Sequence, residues 1–211
     1  MLAKLLDLLF PPRDDERIVR ELGPNELLTL VDPELVPLGT GFSGASLLPF
    51  VDERVRAAIH EAKYRGSEDA FGLLASVLAE YLRELAAESF TRERYVLVPI
   101  PLGAGRLRER GFNQVEEVLR RAARETGMPI ETELLVRTRE TSSQVSLSRA
   151  KRLRNMRGAF TLSPSKGSAL SPDTIYIVVD DVLTTGATLL AACTALKSAG
   201  ASDVLAVALA H

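Results

Sequence analysis

Apolar residues recur along this chain in two rhythms, and the change from one to the other marks out the elements. Ile175, Ile177, Val178 and Val179 make a β-branched run broken only by Tyr176, the pattern of a strand buried on both faces of a parallel sheet. Residues 95–100 form a second such run, and residues 45–51, 130–136 and 204–208 read as further strands. Between them the spacing turns helical. Val55, Ala58, Ile59 and Ala62 give one face to a helix over 53–64, and Phe71, Leu74, Leu78, Leu82 and Leu85 one to a helix over 68–87. Helices are predicted again over 114–126, stopped by Gly127 and Pro129, over 149–156 behind the cap Ser148, and over 189–199, closed by Gly200. Residues 163–172 read as a Ser/Gly/Pro loop.

The first forty residues follow a different pattern. Leu2, Leu5, Leu6, Leu9 and Phe10 stand at helical spacing before Pro11-Pro12, and residues 16–22 and 24–31 suggest two more short helices. Proline and glycine then crowd residues 32–44, which read as a linker. The expected organisation is a helical N-terminal appendage over 1–44 and a main domain over 45–211. Alternating strands and helices make that domain α/β, a mostly parallel sheet with helices on both faces. Ligands gather at the carboxyl ends of strands in such sheets.

Composition changes this picture little. A hydrophobic share of 46% and a charged share of 26% are ordinary for a soluble domain. No apolar run has the length of a membrane span, and the N-terminal decapeptide lacks a basic start and a small-residue cleavage site. One cysteine, Cys193, allows neither an intramolecular disulfide nor a cysteine metal cluster, which fits a cytoplasmic location, and its place is in helix packing. Charge distribution says more. The net charge is −2, yet residues 100–160 carry 13 Lys and Arg against 7 Asp and Glu, so anions should go there.

Candidate chemistry lies in the stretch 176–188. After the strand come Asp180 and Asp181, then the turn Thr184, Thr185, Gly186, Ala187, Thr188 at a helix start. Unpaired backbone N–H groups and the helix dipole favour an anion there, the threonines add donors, and Gly186 allows close approach. The carboxylates would repel a phosphate, and suit ribose hydroxyls or a divalent metal. Together the two subsites describe a sugar phosphate. Neither a Walker loop nor a Gly-x-Gly-x-x-Gly fingerprint is present. The plainer alternative is a buried strand with a threonine cap and a chance acidic pair.

Two basic stretches accompany it. The turn after Pro101, with Leu102 and Gly103, leads to Arg106, Arg108 and Arg110 and could hold a pyrophosphate, or be a solvated basic loop. Residues 137–160 hold Arg137, Arg139, Arg149, Lys151, Arg152, Arg154 and Arg157 against Glu140 alone. A mobile flap over an anion, a nucleic-acid surface and a water-facing helix all fit that run. His60 and His211 enter no catalytic arrangement.

The stretch 176–188 resembles the phosphoribosyl pyrophosphate (PRPP) loop of the type I phosphoribosyltransferases. Taken with Lys63-Tyr64-Arg65-Gly66, Val98-Pro-Ile-Pro, Arg108-Glu-Arg-Gly-Phe-Asn-Gln, Gln144-x-x-Leu-Ser-Arg and Arg154-Asn-Met-Arg-Gly-Ala-Phe, it resembles the ComF family over roughly residues 45–209. These are amidophosphoribosyltransferase-like proteins linked to bacterial competence for DNA uptake. The resemblance implies a type I phosphoribosyltransferase fold and a PRPP ligand. Asp180 and Asp181 would act at the ribose, directly or through Mg²⁺. Residues 184–188 would bind the 5′-phosphate. The pyrophosphate would fall to Leu102, Gly103, Arg106 and Arg110, with Arg149 and Arg152 from the basic flap. Single-stranded DNA, without turnover, is the alternative ligand, and a second copy of the chain a further candidate partner. Family members usually carry paired Cys-x-x-Cys zinc motifs near the N-terminus. Residues 1–44 hold no cysteine, so no zinc is expected.

Overall fold

The β-branched run at 175–179 lies inside a long strand in the computed structural model, which describes residues 13–39, 41–88, 94–139, 149–164 and 170–211, and of residues 149, 150 and 152 the backbone alone. In chain order the elements are α1 (Asp14–Glu21), a single 3₁₀ turn (Leu28–Leu30), β1 (Glu34–Gly39), β2 (Phe42–Leu48), α2 (Glu53–Arg65) and α3 (Glu68–Glu88). Then follow β3 (Arg94–Pro99), α4 (Ala104–Arg110), α5 (Gln114–Thr126), β4 (Leu135–Arg137), α6 (Arg149–Met156), β5 (Phe160–Leu162), β6 (Thr174–Val182), α7 (Ala187–Ser198) and β7 (Asp203–Ala210). The helix expected over residues 2–10 falls outside the described residues.

Five strands form one sheet in the order β1-β2-β7-β6-β3, parallel except for β1, which pairs antiparallel with β2. Helices cover both faces. Ile177 and Val179 of β6 pack with α2, α3 and α5 on one side, and Val19 and Leu27 join that core. Tyr176 and Val178 pack on the other with α7, through Leu189, Cys193 and Leu196, and with Leu135 and Phe160 of a two-stranded β4-β5 sheet. The mostly parallel α/β architecture expected from the alternating pattern is therefore present.

Several local readings are corrected. Residues 34–39, read as part of a linker, are an edge strand: Leu35 pairs with Ala45 and Val36 with Gly44, so the sheet runs through the expected boundary at residue 44. Pro37 lacks an N–H and the pairing slips between Pro37 and Gly39, both tolerable only at an edge. The strand expected over 130–136 is a single parallel bridge, Ile130 to Leu97, followed by β4 in the other sheet. The helix expected over 24–31 shrinks to the turn Leu28–Leu30. Arg106, Arg108 and Arg110, expected after a turn, stand on the short helix α4. Finally, β6 does not stop before the carboxylates: Asp180 pairs with Ala208 and Val182 with Ala210.

Candidate ligand site at the strand ends

Because β6 continues to Val182, Asp180 and Asp181 are consecutive strand residues, and consecutive side chains leave a strand on opposite faces. Asp181 enters the face covered by α2 and α5. Its Oδ2 accepts from Gln114 Nε2 at 2.7 Å and lies 3.5 Å from Lys63 Nζ, while its Oδ1 accepts from the Val182 N–H at 2.7 Å. It is buried, at 9% exposure. Asp180, half-buried, takes the other face. Its Oδ1 accepts from the Asp181 N–H at 2.9 Å, which leaves Oδ2 without a hydrogen bond among the described residues. Burial first, then the Asp181 carboxylate, pushes the Asp180 carboxyl up to about 7, while Lys63 and Arg137 oppose the shift.

Three separated stretches meet here. Lys63 and Tyr64 come from the last turn of α2, which Gly66 closes at φ +63°. A Cβ on Gly66 would sit 3.1 Å from Phe112 Cε1, so α2 and the loop before α5 are in close contact. Phe112 in turn stands edge-on to Phe71, centroids 5.8 Å apart. Asn113 caps α5 by accepting from the Val115 N–H (3.1 Å) and donates to the Ile100 carbonyl (3.0 Å), pinning the helix start to the end of β3. Ile100 itself donates to the Val179 carbonyl at 2.9 Å, so Pro101, Leu102 and the buried Gly103 follow directly from the strand beside Asp180.

The threonine turn lies between β6 and α7. Thr184 is exposed, Thr185 and Thr188 half-buried, and Gly186 and Ala187 buried. The first N–H groups of α7 have no intrahelical partner, so the turn can take a phosphate. Gly186 holds φ +73°, and a Cβ there would fall 2.6 Å from Leu38 Cδ2. Its hydrogen side therefore faces Leu38 of β1, and the reading of Gly186 as making room for ligand gains a second cause in packing.

The pyrophosphate candidates divide. Arg110, half-buried, donates from Nη1 to Gln114 Oε1 at 3.0 Å and lies 5.2 Å from the centroid of the exposed Tyr64 ring. Arg106 is half-buried on the same helix. The side chains of Arg149 and Arg152, and residues 140–148 of the expected flap, lie outside the described residues. What is described of that segment packs: Met156 of α6, Ala159 and Phe160 are buried in the core beside α7, while Lys151, Arg154 and Arg157 are exposed. Lys63 and Gln114 received no site role from the sequence. Their signal was membership in the runs Lys63-Tyr64-Arg65-Gly66 and Arg108-Glu-Arg-Gly-Phe-Asn-Gln; the contact itself, 67 residues apart for Gln114 and Asp181, is not a local feature.

Among the described residues no group of three or more His, Cys, Asp or Glu side chains could hold a metal. The two carboxylates leave β6 on opposite faces and Asp181 is engaged by Gln114 and Lys63, so a Mg²⁺, which keeps waters and substrate oxygens in its shell, would rest on Asp180. Burial, and after it the Asp181 carboxylate, disfavours charge on Asp180, a cost that such a cation would offset. No described helix is long and apolar enough to cross a membrane.

Residues 73–211 match the family model described as the phosphoribosyl transferase domain. DNA utilization protein YhgH of Escherichia coli (strain K12) is 33% identical over 148 residues, 69% of this chain and 62% of that protein. Competence protein ComFC of Streptococcus pneumoniae is 35% identical over 132 residues, 63% of this chain and 54% of that protein. Competence protein F of Haemophilus influenzae is 32% identical over 108 residues, 51% of this chain and 46% of that protein. The matched part of the chain thus spans less than two thirds of each of these relatives. Among solved structures, adenine phosphoribosyltransferase from Leishmania donovani is similar at a TM-score of 0.40 and 13% identity, over 86% of this chain and 73% of that one.

Proposed function

The chain belongs to the phosphoribosyltransferase domain family, as a distant relative of the YhgH and ComF competence proteins, and from that premise we propose that it binds PRPP with Mg²⁺ and transfers the phosphoribosyl group. The observation that carries the reading is the juxtaposition at the end of β6 of the Asp180 carboxylate, whose Oδ2 has no hydrogen bond among the described residues, and the N-terminal turn of α7. In this reading the 5′-phosphate lies on residues 184–188, held by backbone N–H groups and threonine hydroxyls. Asp180 is directed to the ribose, and Asp181, tied to Gln114 and Lys63, fixes the strand end.

Arg110 and Arg106, with the turn at Leu102 and Gly103, serve the pyrophosphate end. Arg149 and Arg152 are assigned there from the sequence alone. The C1–oxygen bond to pyrophosphate breaks with its electron pair leaving on the pyrophosphate, while the acceptor's lone pair forms the new bond at C1 and its proton is lost to solvent or a base. Guanidinium groups stabilise the charge that develops on the leaving group. Mg²⁺, held at Asp180 with Asp181 behind it, would add charge neutralisation there.

A second reading, a PRPP- and single-stranded-DNA-binding module without turnover, has its own observation: Lys151, Arg154 and Arg157 are exposed on and just after α6. The relatives carry the names DNA utilization and competence protein, and on that support we assign either reading to DNA uptake and use, in the cytoplasm. Calorimetric titration of the wild type and Asp180→Asn with PRPP and Mg²⁺ tests the first reading, paired with release of labelled pyrophosphate from PRPP over a panel of bases and amines. Tight Mg²⁺-dependent binding lost in the variant supports it; equal affinity in both proteins removes it. Binding without pyrophosphate release, together with DNA binding, would favour the second.

A further inference from the structure

Among the described residues, the Gln114 side chain touches both an arginine of the pyrophosphate side and a carboxylate of the ribose side. Its Oε1 accepts from Arg110 Nη1 at 3.0 Å, and its Nε2 donates to Asp181 Oδ2 at 2.7 Å. Both Gln114 and Asp181 are buried, at 5% and 9% exposure. The orientation of the amide is forced. A guanidinium only donates, so Oε1 must face Arg110, and a carboxylate accepts, so Nε2 must face Asp181; a flipped amide would set donor on donor and acceptor on acceptor in a buried place. The backbone under Gln114 is fixed as well, because Asn113 ties the start of α5 to the Ile100 carbonyl.

Arg110 spends one of its N–H groups on this bond. Its Nε and Nη2 make no hydrogen bond to the described residues, and the Tyr64 ring 5.2 Å away supports the guanidinium plane. The same guanidinium can therefore grip an anion with its remaining donors while still orienting the amide. Building on the PRPP reading, we propose that Gln114 is a positioning residue: it couples the grip of Arg110 on the pyrophosphate to the placement of Asp181, and so of the β6 end that carries Asp180. Lys63, 3.5 Å from the same Asp181 oxygen, holds the far end of this chain of contacts.

The test is calorimetric titration of the full chain with PRPP and Mg²⁺, and separately with ribose 5-phosphate, between pH 5.5 and 8.5. The proteins are the wild type, Gln114→Met and Gln114→Glu, each checked by a circular-dichroism melt. Loss of a charge-assisted link should weaken PRPP binding by Gln114→Met about tenfold or more at every pH, and leave ribose 5-phosphate within about twofold. Gln114→Glu should be weak at pH 8.5, where the introduced carboxylate repels Asp181. PRPP binding by Gln114→Met within twofold of wild type overturns the proposal. So does an equal loss of ribose 5-phosphate, which general damage to the fold would give, or Gln114→Glu binding PRPP like wild type at pH 8.5. A wild type that binds no PRPP at all defeats the functional reading itself and the coupling with it; a wild type that binds while both variants match it defeats the coupling alone.

Discussion

Replacing Gly186 by alanine separates two reasons for a glycine in the threonine turn. The backbone there sits at φ +73°, where an L-residue with a Cβ costs about 1–2 kcal/mol. The added methyl would also land 2.6 Å from Leu38 Cδ2, and Leu38 is 1% exposed, so it has no open space to enter. Forcing a methyl into a packed site costs a further ~1–3 kcal/mol. Gly186→Ala should therefore lose about 2–5 kcal/mol in urea denaturation. Leu38→Ala alone should lose a similar amount through the cavity it leaves, but the double variant should lose less than the sum of the two. PRPP titration of the double variant then decides the cause. If binding returns when Leu38 is trimmed, the glycine serves the contact with β1. If the double variant folds yet binds nothing, the glycine serves the ligand. Wild-type stability for Gly186→Ala, or strict additivity in the cycle, would refute the steric argument.

Other consequences are checked more simply. The Asp180 carboxyl sits near 7 when folded against 3.8 as its ordinary value, so the native state holds its proton the more tightly. Its stabilising share is complete below about pH 4 and is lost as pH rises through 7. Asp180→Asn should thus raise the stability of the ligand-free protein at pH 8, by at most about 4 kcal/mol, with the gain shrinking toward pH 5; a gain that grows on acidification contradicts this. Cys193 is fully buried and burial pushes its thiol up to about 12. A thiol reagent at pH 8 should label it only at the rate of global unfolding, and fast labelling of the native protein would show the α7 packing to be wrong. Ser46 Oγ is buried without a hydrogen-bond partner among the described residues. Ser46→Ala should be neutral or stabilise by about 1 kcal/mol in chemical denaturation, and a clear loss would reveal an interaction that the hydroxyl makes.

Much of the architecture was legible because it is written in local chemistry. The strand over 175–179 and the helix over 114–126 needed only β-branched residues in a row, or apolar spacing between Asn113 and Gly127. What escaped depends on neighbours. β1 carries Pro37 and ends at Gly39, residues that read as a linker; its pairing with β2 and the burial of Leu38 make it a strand. Likewise the stretch 130–136 was apolar enough for a strand, but a single bridge at Ile130 joins it to Leu97 of β3 before the chain leaves for β5. In the site, the carboxylates and threonine turn were visible as a motif. Their division between two faces was not, because it follows from β6 continuing to Val182. The roles of Lys63 and Gln114 rest on contacts with Asp181 from helices far away in sequence. A motif can mark such residues but cannot say what they touch.

The strand order has a consequence for how the protein is made. β7 follows every other element in the chain, yet it stands in the middle of the sheet, between β2 and β6. A ribosome delivers β1 and β2 first and β3 and β6 much later, and neither pair can reach the other until β7 is inserted. Without β7 the facing edges of β2 and β6 are unpaired, and an apolar strand edge of that kind is a template for other chains. Leu38 of β1 and Gly186 after β6 lie on opposite sides of that join, so their contact depends on it. The anion turn thus takes its wall from a strand far back in the chain.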